Sequence, residues 1–227
     1  PGGRLITAAL PPFKDEIRNL VRSLHVQGQK AGVEFRFNVQ ADPELIAREK
    51  PDALVLATGA DVLIPPVPGI DGPSVALAED VLAGRKKTAG SVVIIGGGMV
   101  GCETAEFLIE RGVKDVTVLE MLVRMADNVV PTYRPFFLAR LKDAGVKLEP
   151  GTTVTGITEQ GVSVVKNEVS GFIRGDTVIV AAGYRADPGR LERLKGSAAE
   201  VYPVGDCVRA RTIKDAIEEG FSAGKSL

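Results

Sequence analysis

Between Ser91 and Glu120 the chain passes from a buried-strand composition into a cluster of glycines, and few folds accommodate that order. Ser91-Val-Val-Ile-Ile is a β-branched apolar run of the kind covered on both faces, and it leads straight into Gly96-Gly-Gly-Met-Val-Gly101. Cys102 to Arg111 then sets Ala105, Leu108 and Ile109 on one helical face, and Gly112 ends the helix. Val116-Thr-Val-Leu-Glu120 reads as the next parallel strand, with an acid at its tip.

Each position has a physical reason. Gly96 permits the turn out of the strand, Gly98 lets the backbone approach a diphosphate without a side chain in the way, and Gly101 lets the helix pack closely on the strand. A diphosphate would rest on the helix N-terminus, where the first-turn N–H groups, including those of Met99 and Val100, and the macrodipole favour an anion. Glu120 lies about 20 residues beyond the glycines, the spacing at which a carboxylate accepts hydrogen bonds from an adenosine ribose and repels a 2′-phosphate. The expectation is a site for NADH in preference to NADPH. Two alternatives stay open: Glu120 as a solvated strand-end charge, and Arg124 as a cation for a 2′-phosphate.

The rest of the chain is consistent with a globular α/β protein. A stretch from about Phe13 to Lys30 carries Ile17, Leu20, Val21 and Leu24 at helical spacing, with the single histidine, His25, expected in a surface or packing role. Val33-Glu-Phe-Arg-Phe-Asn-Val39 alternates as a strand does, Pro43 to Glu49 reads as a short helix, and Asp52-Ala-Leu-Val-Leu-Ala-Thr-Gly59 as a buried strand. The proline-rich Val62 to Gly69 marks a connector. After Glu120 come a helix from about Thr132 to Ala144 and a third strand at Val146 to Glu149. The β-branched segments Thr152–Thr155, Val162–Val165 and Val169–Ile173 follow and predict an antiparallel meander. Asp176-Thr-Val-Ile-Val-Ala-Ala-Gly183 is again a buried strand, and Val201-Tyr-Pro-Val-Gly-Asp206 precedes a helix from about Thr212 to Lys225. Gly205-Asp206 reads locally either as a turn with a helix-proximal acid or as a ligand for a hydroxyl.

Composition excludes several classes. A net charge of −1, no basic run longer than Arg85-Lys86-Lys87 and 5% aromatic residues argue against nucleic acid as a partner. No apolar run approaches the ~18 residues of a membrane span. The two cysteines, Cys102 and Cys207, have no C-x-x-C or metal-ligand spacing, so neither dithiol chemistry nor a metal site is expected, and a reducing, cytoplasmic compartment fits. No signal peptide is evident, and the opening Pro1 suggests a piece of something longer.

In order, Asp52 to Gly59, Gly96-x-Gly98-x-x-Gly101-x-Glu103, Asp176 to Gly183 and Tyr202 to Asp206 resemble the flavoproteins with two dinucleotide-binding domains, in which an NAD(P)H domain is inserted into an FAD domain. Gly2-Gly-Arg-Leu5 with its proline-headed helix, and Gly205-Asp-Cys207 with Arg211-Thr-Ile-Lys-Asp-Ala-Ile217, narrow the resemblance. They are similar to the C-terminal lobe of NADH:flavin oxidoreductases related to bacterial dienoyl-CoA reductase and trimethylamine dehydrogenase. The resemblance implies a Rossmann-like NAD(P)H-binding domain, parallel sheet plus meander, at residues 88–186. It sits in a partial FAD-binding domain formed by 1–87 and 187–227.

It implies that Glu103 helps position the nicotinamide ribose, with Gly183 also on the NAD(H) side. Gly3, Thr58, Gly59 and Gly205 would line the FAD side, and Asp206 would hold the ribityl chain. The helix start at Thr212 and Ile213 would face the flavin pyrimidine edge. The first strand and glycine loop of the FAD domain, and the upstream barrel of this family, are not in these 227 residues. The function expected is hydride passage from NADH to FAD and onward to centres outside the chain. The alternatives are an NADH-binding module without turnover, or a subunit completed by a second polypeptide, and self-association through open sheet edges is a further expectation.

Overall fold

The computed structural model describes all 227 residues, Pro1–Leu227. In chain order its elements are helices α1 (Leu5–Ala8), α2 (Asp15–Lys30) and α3 (Pro43–Glu49), strands β1 (Ala53–Leu56), β2 (Asp61–Val62) and β3 (Val75–Leu77), helix α4 (Ala78–Leu82), strand β4 (Val92–Ile95) and helix α5 (Met99–Glu110). There follow strand β5 (Val116–Glu120), helix α6 (Arg134–Asp143), strands β6 (Lys147–Pro150), β7 (Thr152–Thr158), β8 (Gly161–Lys166), β9 (Val169–Arg174), β10 (Thr177–Val180) and β11 (Tyr184–Arg185), helix α7 (Pro188–Leu194), strand β12 (Glu200–Pro203) and helix α8 (Ile213–Ser226). They form two compact units: Pro1–Phe35 with Ile64–Gly183, and Arg36–Leu63 with Tyr184–Leu227. The unit holding the glycine turn therefore takes in the first 35 residues, which the sequence pattern groups with the segment around Asp52–Gly59.

The first unit is built on a five-stranded, all-parallel sheet in the order β3-β10-β4-β5-β6. Its two faces are read off β4. Val92 and Ile94 join Ala105, Phe107 and Leu108 of α5 and Phe137 and Leu141 of α6 in one core. Val93 and Ile95, with Leu119 and Val178, pack instead on Ile157, Val162 and Val164 of the antiparallel β7-β8-β9 meander. Covering on both sides explains the unbroken apolar run of β4, since each such side chain contributes about 1.5–3 kcal/mol on burial. Asp176 immediately precedes β10 beside the head of β4, accepting from both the amide (2.7 Å) and the hydroxyl (2.8 Å) of Ser91. Those two donors hold its carboxyl below the usual range.

Helix α2 forms as its spacing predicts, but Ile17, Leu20 and Val21 are only half-buried and Leu24 is exposed. His25 has the packing role expected of it, edge-on to Phe35 at 4.5 Å. The strand expected over Val33–Val39 does not form. Phe35 turns back on α2 beneath Gly28, where a Cβ would meet its ring at 2.8 Å, and Asn38 sits at φ +58°, which no ladder tolerates.

The second unit has a smaller core of Ile46, Leu56 and Leu194, with Leu54, Leu191 and Val201 against it. Strands β1 and β12 pair in parallel, Ala53 opposite Glu200 through Leu56 opposite Pro203, and β2 pairs antiparallel with β11. Helix α3 is capped by Asp42, whose carboxylate accepts from the Leu45 amide at 2.8 Å. No helix is long and apolar enough to cross a membrane.

Candidate functional site

The glycine turn joins β4 to α5, and its three fingerprint positions have different neighbours. Gly96 adopts φ +108°, and a Cβ there would lie 2.4 Å from the Ala181 carbonyl oxygen just beyond β10. At Gly101 a Cβ would lie 1.9 Å from the Gly96 carbonyl oxygen, so the helix is pressed directly on the turn. Gly98, the residue before α5, has ordinary dihedrals and open space above it; the nearest atoms are those of the Asn128 amide, from 3.4 Å.

The carboxylate of Glu120 braces the turn from the end of β5. Its Oε2 accepts from the Gly97 amide and its Oε1 from the Leu122 amide, both at 2.8 Å. Two of roughly four lone-pair sites on an ionised carboxylate remain for a ligand. The segment after β5 folds back over the turn: the Ala126 amide donates to the Gly97 carbonyl at 2.7 Å, and a Cβ on Gly97 would meet the end of the Met125 side chain at 2.6 Å. Asn128 Oδ1 then accepts from the Met99 amide at 2.8 Å. Arg124 lies 3.8 Å from Asp127, which also pairs with Arg134 at 3.1 Å, so its charge is already shared.

Glu103, at the start of the second turn of α5, is largely buried and pairs with Lys14 at 2.5 Å. Burial pushes its carboxyl above the usual range, and the ammonium of Lys14 opposes that shift. Lys14 arrives there because Phe13 takes a left-handed backbone, φ +62°, a conformation that costs a bulky residue of order 1–3 kcal/mol. A group whose folded pKa is raised favours the fold below its unfolded value and loses that contribution as pH rises through the raised one. Replacing Lys14 with Met, which raises the Glu103 pKa further, should lower unfolding free energy by about 2 kcal/mol at pH 8 and far less at pH 4. Denaturation at the two pH values measures the difference.

Beside Glu103, Cys102 is fully buried, and burial, followed by the charges of Glu103 and Glu120, pushes its thiol up to about 12. That is an inert packing cysteine, not a nucleophile. Gly183 ends this unit at φ +101° with nothing within 4 Å of where a Cβ would stand, and Gly3 is similarly open at φ +49°.

In the second unit the residues expected on the flavin side gather where β1 and β12 end. The Val204 amide and the Cys207 thiol both donate to the Leu56 carbonyl, at 2.9 and 3.1 Å, and Thr58 and Gly59 come one residue beyond β1. Gly205 opens a 3-10 turn at φ +69° and donates its amide to Glu219 at 2.6 Å; Glu219 also pairs with Arg211. The Gly205 amide, then Arg211, holds the Glu219 carboxyl below the usual range. Asp206 accepts from the Arg211 amide at 3.0 Å. Thr212 and Asp215 form a reciprocal capping box, Thr212 accepting from the Asp215 amide and Asp215 from the Thr212 amide. The N–H groups of Ile213 and Lys214 are the other two of that first turn.

Sequence reasoning did not single out Lys14, Asn128 or Glu219. Lys14 stands two residues beyond a Pro-Pro pair, a signal of an imposed turn; Asn128 and Glu219 reach their partners only through tertiary folding.

A parallel sheet with a glycine turn at a helix N-terminus and an acid closing the next strand defines a dinucleotide-binding α/β protein. The chain matches the family described as pyridine nucleotide-disulphide oxidoreductase over residues 12–220 and belongs to it, a family of FAD-dependent oxidoreductases using pyridine nucleotides. It is 37% identical over 227 residues to the bilirubin reductase of Mediterraneibacter gnavus (strain CC55_001C), covering 100% of this chain and 35% of that protein. It is also 37% identical over 226 residues to an NADH oxidase of Thermoanaerobacter brockii, covering 97% of this chain and 35% of the relative. Among solved structures, a 2-naphthoyl-CoA reductase complex superposes with a TM-score of 0.92 at 30% identity, over 99% of this chain and 34% of that one. The chain thus spans about a third of the length of these relatives.

Proposed function

We propose that this chain is the nucleotide-binding lobe of an NADH-dependent flavin oxidoreductase. The observation that carries the reading is the open face above Gly98 at the N-terminus of α5, flanked by the Glu120 carboxylate with two acceptor sites unspent. Amides of the Gly98–Gly101 turn, including those of Met99 and Val100, hold the diphosphate, Glu120 takes the adenosine ribose hydroxyls, and Glu103, held by Lys14, accepts from the nicotinamide ribose. Gly183 lets the end of β10 pass close to the nucleotide.

The second unit fits part of an FAD site. Asp206 is oriented by the Arg211 amide with acceptor capacity left over, the Ile213 and Lys214 amides supplement the α8 dipole, and the left-handed Gly59 leaves space beside Thr58. Gly205 completes the flavin-side set of this unit, and Gly3 is the flavin-side residue we assign in the first unit. Bound FAD would accept hydride from NADH and pass electrons to centres outside this chain; the protein contributes binding, orientation and electrostatics. We place the NAD(H) domain at 88–186 and the FAD-side segments at 1–87 and 187–227, joined in the parent protein to an upstream flavin barrel. Buried, unpaired thiols fit a cytoplasmic setting, and open sheet edges favour self-association.

The relatives' greater length favours a second reading, in which the isolated chain binds NADH without turning it over. Titration of the purified chain with NADH and NADPH tests the first claim: saturable binding with at least a tenfold preference for NADH is expected, and no saturation overturns it. A yellow preparation bleached by NADH supports turnover, and a colourless one that still binds supports the module.

A further inference from the structure

Asn128 is exposed and lies on the segment that returns from β5 across the glycine turn. Three contacts fix that segment. The Ala126 amide reaches the Gly97 carbonyl at 2.7 Å, Met125 is buried against Gly97, and the Val129 amide closes on the Ala126 carbonyl at 3.0 Å. Ala126 itself sits at φ +51°, a left-handed conformation disfavoured for alanine, and this bend carries the chain so that residue 128 comes over Gly98. The outcome is an amide oxygen 2.8 Å from the Met99 N–H, in the space that the missing side chain of Gly98 leaves open.

Resting on the dinucleotide reading above, we propose that Asn128 is a built-in stand-in for the diphosphate, an amide oxygen that caps α5 in the free protein and must turn aside for the nucleotide to bind. The chemistry suits that duty. An uncharged amide satisfies an orphan first-turn N–H of α5. It holds the helix end less strongly than an anion does, so a diphosphate carrying two negative charges displaces it. An aspartate in the same place would bind the helix end more tightly and repel the incoming phosphates. The side chain is free to leave because it is exposed and its neighbours Ala126 and Val129, not Asn128, carry the packing of the segment. Its presence lowers the apparent affinity by the fraction of molecules in which the position is open.

The test uses the full chain and three ligands: NADH and ADP-ribose, which bear the diphosphate, and adenosine, which does not. Asn128→Ala should bind NADH and ADP-ribose about fivefold more tightly than the parent, the factor set by losing one competing exposed hydrogen bond. Asn128→Asp should bind both about tenfold more weakly, with the loss shrinking as salt is raised. Adenosine affinity should stay within about twofold in both variants, a ratio that a general loss of structure would not preserve. In the parent, the Asn128 side-chain amide resonances should shift with ADP-ribose and not with adenosine. If Asn128→Ala binds the diphosphate ligands no better than the parent, the amide does not compete with them, and if it binds them worse, the amide is part of the bound site; either result overturns the proposal. Failure of the parent chain to bind ADP-ribose at all would overturn the dinucleotide reading instead.

Discussion

Gly101→Ala is expected to abolish measurable NADH binding and to destabilise the first unit by about 3 kcal/mol, the upper range for forced overpacking. The new methyl would sit 1.9 Å from the Gly96 carbonyl oxygen, which is backbone and cannot rotate away. Gly96 has no room to retreat, because the space around it is bounded by the Ala181 carbonyl at the end of β10. Relief must therefore come from sliding α5 off the sheet, out of a core in which Cys102 and Ala105 are completely buried. Gly98→Ala is the informative contrast: its dihedrals suit alanine and its nearest neighbour is the movable Asn128 side chain at 3.4 Å. Its stability should change by less than about 0.5 kcal/mol, while NADH affinity falls because the methyl occupies the face proposed for the diphosphate. Equilibrium unfolding and NADH titration on the two variants separate fold support from ligand access. Equal loss of stability in both would mean that the turn is only a packing device.

Much of the first unit was legible because its strands are short, β-branched and covered on both faces, so local composition and tertiary burial agree along β4, β5 and β10. The meander was legible for the same reason. Val33–Val39 misled because alternation is necessary for a strand and not sufficient: Phe35 found its partner on α2, the helix preceding it, and Asn38 took a left-handed turn. The short pairs β2 with β11 and the helices α1, α4 and α7 are set by tertiary contacts that no periodic window contains. At the site, the glycine spacing announced the turn and the acid. It could not announce that Glu120 spends two lone pairs on the Gly97 and Leu122 amides, or that Asn128 returns from across a loop to cap α5. Those are decided by where residues 121–133 fold, and that segment has a sequence without period.

The double engagement of Glu120 shapes the second large effect. Glu120→Ala removes the acceptor of two backbone amides and of the proposed ribose hydroxyls at once, so NADH affinity should fall about 100-fold, or roughly 3 kcal/mol for hydrogen bonds to a charged group. The preference for NADH over NADPH should shrink toward unity, because the charge that repels a 2′-phosphate is gone. Loss of turn support and loss of ribose recognition would be confounded in that variant alone, and Glu120→Gln parts them. Glutamine keeps one carbonyl oxygen for the Gly97 amide and gives up only the bond from the exposed Leu122 amide, so most of the turn support and of the adenosine-independent part of binding should persist, while the neutral side chain gains tolerance for NADPH. The ribose role therefore predicts a selectivity change in Gln as large as in Ala, with a much smaller drop in affinity. Were Gln to retain the parent's full discrimination against NADPH, Glu120 would be a brace for the glycine turn alone, and the selectivity would have to reside in how Asp127 divides its charge between Arg124 and Arg134.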